Sequence, residues 1–137
     1  MSAYLDASVI VPLFIADAFS EQADALLAQE STITIADWAV VEVSSVIARQ
    51  KRIGAIDTQT AQRVLSQFDS WRARAVSRAE TLSSDMVLAT EFVRKFDLGL
   101  RGPDALHLAI ANRLGMKLLT FDTRMKSAAI ALGLDVA

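Results

Sequence analysis

Alternation is the feature that most constrains how this chain can fold: short runs rich in apolar or β-branched residues are separated by longer stretches with helical spacing. Ala3-Tyr4-Leu5 reads as a buried strand running into Asp6, and Ser8 is placed to cap the helix that follows. Ser20 to Leu27 has helical spacing, whereas Thr32-Ile33-Thr34-Ile35 is β-branched throughout and reads as a second strand. Asp37 is expected to cap a long helix to Arg52 with Gly54 as its stop, and Asp57-Thr58-Gln59 opens another through Phe68 and Trp71. A third strand is expected at Ala75-Val76-Ser77. Ser84 and Asp85 then begin a helix through Phe96, and Pro103 starts one that Gly115 ends. Lys117 to Phe121 reads as the fourth strand, Thr123 to Leu132 as a short helix, and Leu134-Asp135-Val136 as a fifth strand. Strands alternating with helices imply an α/β fold with a mainly parallel, four- or five-stranded sheet covered by helices on both faces.

With 137 residues the chain fits one domain, without internal repeats or linkers. Hydrophobic residues make up 53% of it, a little above the usual share, which leaves apolar surface for a homodimer or a bound peptide. A net charge of −2 argues against holding nucleic acid through overall positive charge, so any phosphate would be met by a local basic patch or by metal ions. The absence of cysteine removes disulfides and thiolate metal sites. The apolar stretch from Val9 to Ile15 is broken by Pro12 and ended by Asp17, and no segment approaches the roughly 20 apolar residues that span a bilayer. A soluble, cytoplasmic protein without a membrane partner is the expectation.

Against this apolar background four acids stand where burial should forbid them. Asp6 ends the first strand, Glu42 lies inside the apolar helix Trp38 to Ile47, Asp104 opens the helix after Pro103, and Asp122 follows the fourth strand. A lone buried carboxylate is costly unless it is paired, protonated or bound to a cation. Ligands of parallel α/β sheets bind beyond the carboxyl ends of the strands. If the first and fourth strands are neighbours, Asp6 and Asp122 face one crevice to which helices can bring Glu42 and Asp104, and a divalent cation is the expected occupant. Each acid also has a structural alternative. Asp6 and Asp122 precede helices and can cap them, Asp104 suits a helix N-terminus, and Glu42 can pair with Arg49. Asp17, Asp37, Asp57 and Asp85 read as caps or surface residues. His107, one turn after Asp104, invites an acid–base role, against the plainer reading of a residue at the edge of a packed helix. Arg101 is the better-placed cation for touching a phosphate; the basic run Arg49 to Arg52 also suits a helix C-terminus on electrostatic grounds alone. Val64, Phe68 and Trp71 share helical spacing and read as packing residues.

These residues carry a resemblance over nearly the whole chain: Tyr4-Leu5-Asp6-Ala7-Ser8, Glu42, Arg101-Gly102-Pro103-Asp104-Ala105-Leu106-His107-Leu108-Ala109 and Leu119-Thr120-Phe121-Asp122. Their order and spacing resemble a PIN-domain ribonuclease, specifically the VapC toxins of type II toxin–antitoxin pairs. The resemblance implies a single PIN domain over residues 1–137, built as a three-layer α/β/α sandwich. It implies that Asp6, Glu42, Asp104 and Asp122 are catalytic, metal-binding acids, and that Ser8 and Thr120 line their pocket. It also implies Mg2+ or Mn2+ as cofactor, RNA as substrate, water as nucleophile with 5′-phosphate and 3′-hydroxyl products, and neutralisation by a VapB-type antitoxin. Some PIN domains carry a further acid beyond the last strand, where this chain has Thr123, Arg124 and Met125.

Rival chemistries fit less well. A phosphoacceptor receiver domain would want paired acids after the first strand and a lysine near the fifth, and a haloacid-dehalogenase-type phosphatase would want a second aspartate where Ser8 stands. A non-catalytic PIN-like binding module, whose acids cap helices or hold a structural cation, is the remaining alternative.

Overall fold

The computed structural model describes residues 1–137. Its sheet has four parallel strands, β1 (Ser2–Leu5), β2 (Thr32–Ala36), β3 (Ser77–Ala79) and β4 (Lys117–Leu119), in the order β3-β2-β1-β4. The central β1 pairs Ala3 with Ile33 on one side and with Lys117 on the other. Side chains alternate across a strand, so each strand feeds two cores. Ala3, Leu5, Ile35 and Leu119 pack on one face against α1 (Ala7–Phe14), α2 (Ser20–Ala28), α3 (Asp37–Arg52) and α4 (Thr58–Ala75). Tyr4, Ala36, Ala79 and Leu118 face the opposite core, built by α5 (Ser83–Val93), α6 (Gly102–Leu114) and α7 (Thr123–Ala131). The result is a three-layer α/β/α sandwich.

Several helix ends follow from their local chemistry. Asp57 caps α4 by accepting the Thr60 backbone N–H at 2.7 Å. Gly115 ends α6 with φ of 63°, a left-handed conformation that glycine adopts without a Cβ penalty. Pro103 sits in the first turn of α6, where its missing N–H costs nothing. Phe68 is fully buried and forms an aromatic cluster with Phe14 and Trp71, so this part of α4 is core packing.

Other boundaries differ from the sequence expectations for identifiable reasons. The third strand is Ser77–Ala79, because α4 continues through Ala75. The segment expected as a fifth strand makes only one bridge, Val136 beside Leu118. The helix expected to reach Phe96 ends at Val93, and a 3-10 turn over Phe96–Leu98 follows, closed by Gly99 at φ of 62°. Ser8 does not cap α1; Asp6 holds the N-cap position, and the Ser8 hydroxyl is turned toward the strand ends. Asp37 lies inside α3, after Ala36 at the N-cap, and pairs with Arg78. No helix is long and apolar enough to cross a membrane.

Candidate active-site cleft

The sheet order contains one reversal: from β1 the chain proceeds outward through β2 and β3, then returns to place β4 on the other side of β1. Such a reversal opens a crevice beyond the strand ends. Asp6 leaves β1 there, and Thr120, Phe121 and Asp122 leave β4 beside it. Glu42 enters from the second turn of α3 and Asp104 from the first turn of α6. Asp6, Glu42, Asp104 and Asp122 line one cleft of about 460 Å³, together with Ser8, Arg101 and His107. The four acids singled out by the sequence therefore share one surface.

Asp6 is only 3% exposed. Ser8 Oγ donates to its Oδ1 at 2.6 Å and Thr120 Oγ1 donates to its Oδ2 at 2.7 Å. The same hydroxyls lock the strand ends together, since Ser8 Oγ accepts the Phe121 N–H at 2.9 Å and Thr120 Oγ1 accepts the Asp122 N–H at 3.0 Å. These neutral donors orient the carboxylate without cancelling its charge. Burial accordingly raises Asp6 above its ordinary pKa, against the opposing pull of His107 and the two hydroxyls. Asp104 is also raised, first by burial and then by the neighbouring charge of Asp122, while Arg101 works against the shift. Arg101 Nε reaches Asp104 Oδ2 at 3.3 Å from an exposed side chain. Asp122 accepts the Met125 N–H at 3.0 Å and so does cap α7 while lining the cleft.

Glu42 does not pair with Arg49. Its Oε1 meets His107 Nε2, whose Nδ1 hydrogen-bonds the Tyr4 hydroxyl at 2.6 Å. His107 is fully buried, not at the helix edge that the sequence suggested, and links β1, α6 and α3 through a continuous polar chain. Asp17, read from sequence as a cap or surface residue, accepts the Phe19 N–H at 2.7 Å and also borders the cleft. Tyr4, Phe19 and Phe121 were not singled out by sequence; apolar neighbours hide the first, and nothing local marks the other two.

The donor set is hard and oxygen-rich, suited to Mg2+ or Mn2+, and the excess of negative charge at Asp6, Asp104 and Asp122 is the kind a cation relieves. In the present arrangement no three His, Asp or Glu side chains are grouped to hold one ion. Each acid instead has a protein partner: Ser8 and Thr120, His107, Arg101, or the first turn of α7. The residues fit a cation in chemistry and location.

A family model, that of the PIN domain, matches residues 3–131. The chain belongs to the PIN domain family. Within it, the chain is similar to Ribonuclease VapC3 of Pyrobaculum aerophilum, with 30% identity over 127 residues covering 91% of this chain and 92% of that protein. The PIN fold is shared with solved structures. VapC20 of Mycobacterium tuberculosis, described as a sarcin-ricin loop cleaving toxin, superposes with a TM-score of 0.73 at 18% identity over 92% of this chain and 94% of that one. VapBC2 from Rickettsia felis, solved on a DNA fragment from its promoter, gives 0.72 at 15% identity over 100% and 98%.

Proposed function

We propose that this PIN domain is a divalent-cation-dependent endoribonuclease, the toxin of a toxin–antitoxin pair, using Mg2+ or Mn2+ to hydrolyse RNA phosphodiester bonds. The observation that carries the proposal is the convergence of Asp6, Glu42, Asp104 and Asp122, from four separate elements, on one cleft in which Asp6 and Asp104 are raised in pKa. The similarity to Ribonuclease VapC3 supports RNA as substrate, and the solved VapBC2 structure supports a VapB-type antitoxin as partner.

Asp6 and Asp122 would hold the cation from the strand ends, with Glu42 and Asp104 completing its surroundings directly or through water. A cation held there would supply screening of phosphate charge and a lowered pKa for a bound water. The chain's own work is positional. Ser8 and Thr120 fix both oxygens of Asp6, the Tyr4–His107 chain holds Glu42, and Arg101 offers its exposed guanidinium to a phosphate. His107 is a positioning residue, because its two ring nitrogens are already engaged by Tyr4 and Glu42.

A non-catalytic binding module is favoured by one observation, the individual protein partner that each acid already has. The two readings separate on labelled RNA incubated with Mg2+, Mn2+ or EDTA. Cleavage yielding 5′-phosphate ends, absent with EDTA and reduced at least about a hundredfold in folded Asp6→Asn and Asp104→Asn proteins, is expected of the nuclease. Equal cleavage by these variants, or none by the wild type, removes the proposal.

A further inference from the structure

We propose that Phe19, backed by Phe121, forms a nucleobase subsite beside the acidic cleft, on which an unpaired base next to the scissile phosphate stacks. The inference rests on the ribonuclease reading and adds the substrate feature that the acids themselves cannot select. Phe19 and Phe121 both border the cleft that holds Asp6 and Asp122. Their ring centroids lie 5.0 Å apart at an interplanar angle of 26°, a stacked arrangement. Phe19 remains 48% exposed, so a large part of its surface is still available.

A single exposed phenylalanine needs no functional explanation. This one differs because both of its supports are built in. Phe121 is the residue between Thr120, which donates to Asp6, and Asp122, which caps α7; its own N–H is bonded to Ser8 Oγ at 2.9 Å. Its backbone position is therefore tied to the acids. Phe19 begins α2 from a turn closed by side-chain bonds: the Phe19 N–H donates to Asp17 Oδ1 at 2.7 Å, the Asp17 N–H donates to Ser20 Oγ at 2.9 Å, and Ser20 Oγ donates to the Pro12 carbonyl at 2.7 Å. The turn thus holds an apolar ring at the mouth of a polar cleft.

Single-stranded nucleic acids are gripped by electrostatic contacts to phosphates combined with aromatic faces on which bases stack, whereas bases within a duplex are already stacked on one another. A phosphate meeting Arg101 would place its flanking bases in the same cleft that Phe19 lines. The subsite should therefore prefer unpaired RNA and tolerate different bases, since every base has a π-face.

The test uses fluorescein-labelled single-stranded RNA decamers of randomised sequence. Binding is read by anisotropy with Ca2+ in place of Mg2+, and cleavage with Mg2+. Phe19→Ala should weaken binding and raise KM by roughly 5- to 150-fold, the range expected for one base–aromatic stack. Phe19→Trp should restore both values, and Phe19→Leu, apolar but without a π-face, should stay near the alanine variant. Losing the stack on Phe121 should leave the alanine and leucine variants melting only a few degrees below wild type and folded at the assay temperature, with the tryptophan variant close to wild type. Wild-type affinity in the alanine variant, or recovery by leucine as complete as by tryptophan, overturns the subsite. So does an alanine variant that keeps RNA binding and loses its copurifying antitoxin, which would make the ring pair a protein contact. A wild type that neither binds nor cleaves RNA defeats the nuclease reading as well, whereas cleavage unaffected by the Phe19 variants defeats the subsite alone.

Discussion

Asp85 and Asp6 are both nearly out of contact with solvent, 2% and 3% exposed, but Asp6 lies far deeper in the protein, and their pKa values move in opposite directions. Burial pushes both upward. At Asp85 it is outweighed by Arg113, whose Nε and Nη2 donate to the two carboxylate oxygens at 2.7 and 2.9 Å, and by the Leu82 N–H at 2.8 Å, so the group is lowered. At Asp6 the direct donors are hydroxyls, and the group is raised. A bidentate guanidinium cancels charge as well as filling lone pairs; a hydroxyl only fills lone pairs. Asp85 is thus a finished structural joint between α5 and α6, whereas the Asp6 carboxylate has no guanidinium or ammonium bonded to it.

Removing each joint should break this contrast most visibly in stability. Asp85→Ala leaves the partly buried Arg113 guanidinium without its carboxylate and uncaps Leu82, and should lower unfolding free energy by about 2–4 kcal/mol in urea titrations. Cleavage per folded molecule should be unchanged. The pH dependence has a definite sign: a depressed folded pKa contributes stability that is present above the unfolded aspartate value of about 3.9 and is lost as pH falls through the folded value. The gap between wild type and variant should therefore narrow at strongly acidic pH. A gap that persists there, or a variant as stable as wild type at neutral pH, would show that the Arg113 pair is not what holds α5 to α6.

Asp104 should behave in the opposite way. Its folded pKa is raised, so keeping it ionised costs stability, and that cost grows as pH rises from about 3.9 through the raised value. In metal-free protein at neutral pH, Asp104→Asn should therefore melt higher than wild type, by roughly 3–5 °C if about 1 kcal/mol of strain is relieved in a domain of this length. Mg2+ at ten times its Kd adds about 1.4 kcal/mol to whatever binds it. Titrating Mg2+ in thermal melts should raise the wild type and leave the variant nearly flat, reversing their order. Two parallel curves would mean that Asp104 contributes nothing to cation binding.

The parts of this contrast that were legible in sequence are those set by local pattern. β1, β2 and β4 announce themselves through short apolar or β-branched runs, and α3 and α6 through their stop signals and, for α6, Pro103. The acids Asp6, Glu42, Asp104 and Asp122 were conspicuous because each interrupts an apolar context, and all four do line one cleft. β3 was misplaced because Ser77-Arg78-Ala79 is a short edge strand with two exposed residues, leaving almost no alternating pattern to read. Partners were the less legible layer. Arg49 was the local candidate for Glu42, but the fold brings His107 to it from α6, in the opposite helical layer and 65 positions away, and Tyr4 joins it from 103. Asp85 looked like a helix cap and is one; only the fold reveals Arg113, 28 positions later, as the reason it can be buried. Phe19 and Phe121 meet only because the α1–α2 turn folds toward the end of β4.

Arg101 gives the finest test, since it forms the same residue pair as Arg113 in the opposite setting. Arg113 is partly buried and bidentate, while Arg101 is 71% exposed and reaches Asp104 through one nitrogen at 3.3 Å. Exposed pairs of that kind contribute about 0–1 kcal/mol, so Arg101→Ala should shift unfolding free energy by no more than about 0.5 kcal/mol. Its effect should fall on RNA instead. A guanidinium that meets a phosphate releases counterions, so the variant should weaken binding by a similar factor for every RNA sequence and reduce the slope of log K against log salt by about one. Anisotropy titrations of one RNA decamer at several salt concentrations read that slope directly. An unchanged slope with wild-type affinity would remove Arg101 from the RNA path and leave it as a local counterion for Asp104, whereas a loss of stability as large as that of Asp85→Ala would erase the distinction between the two arginines.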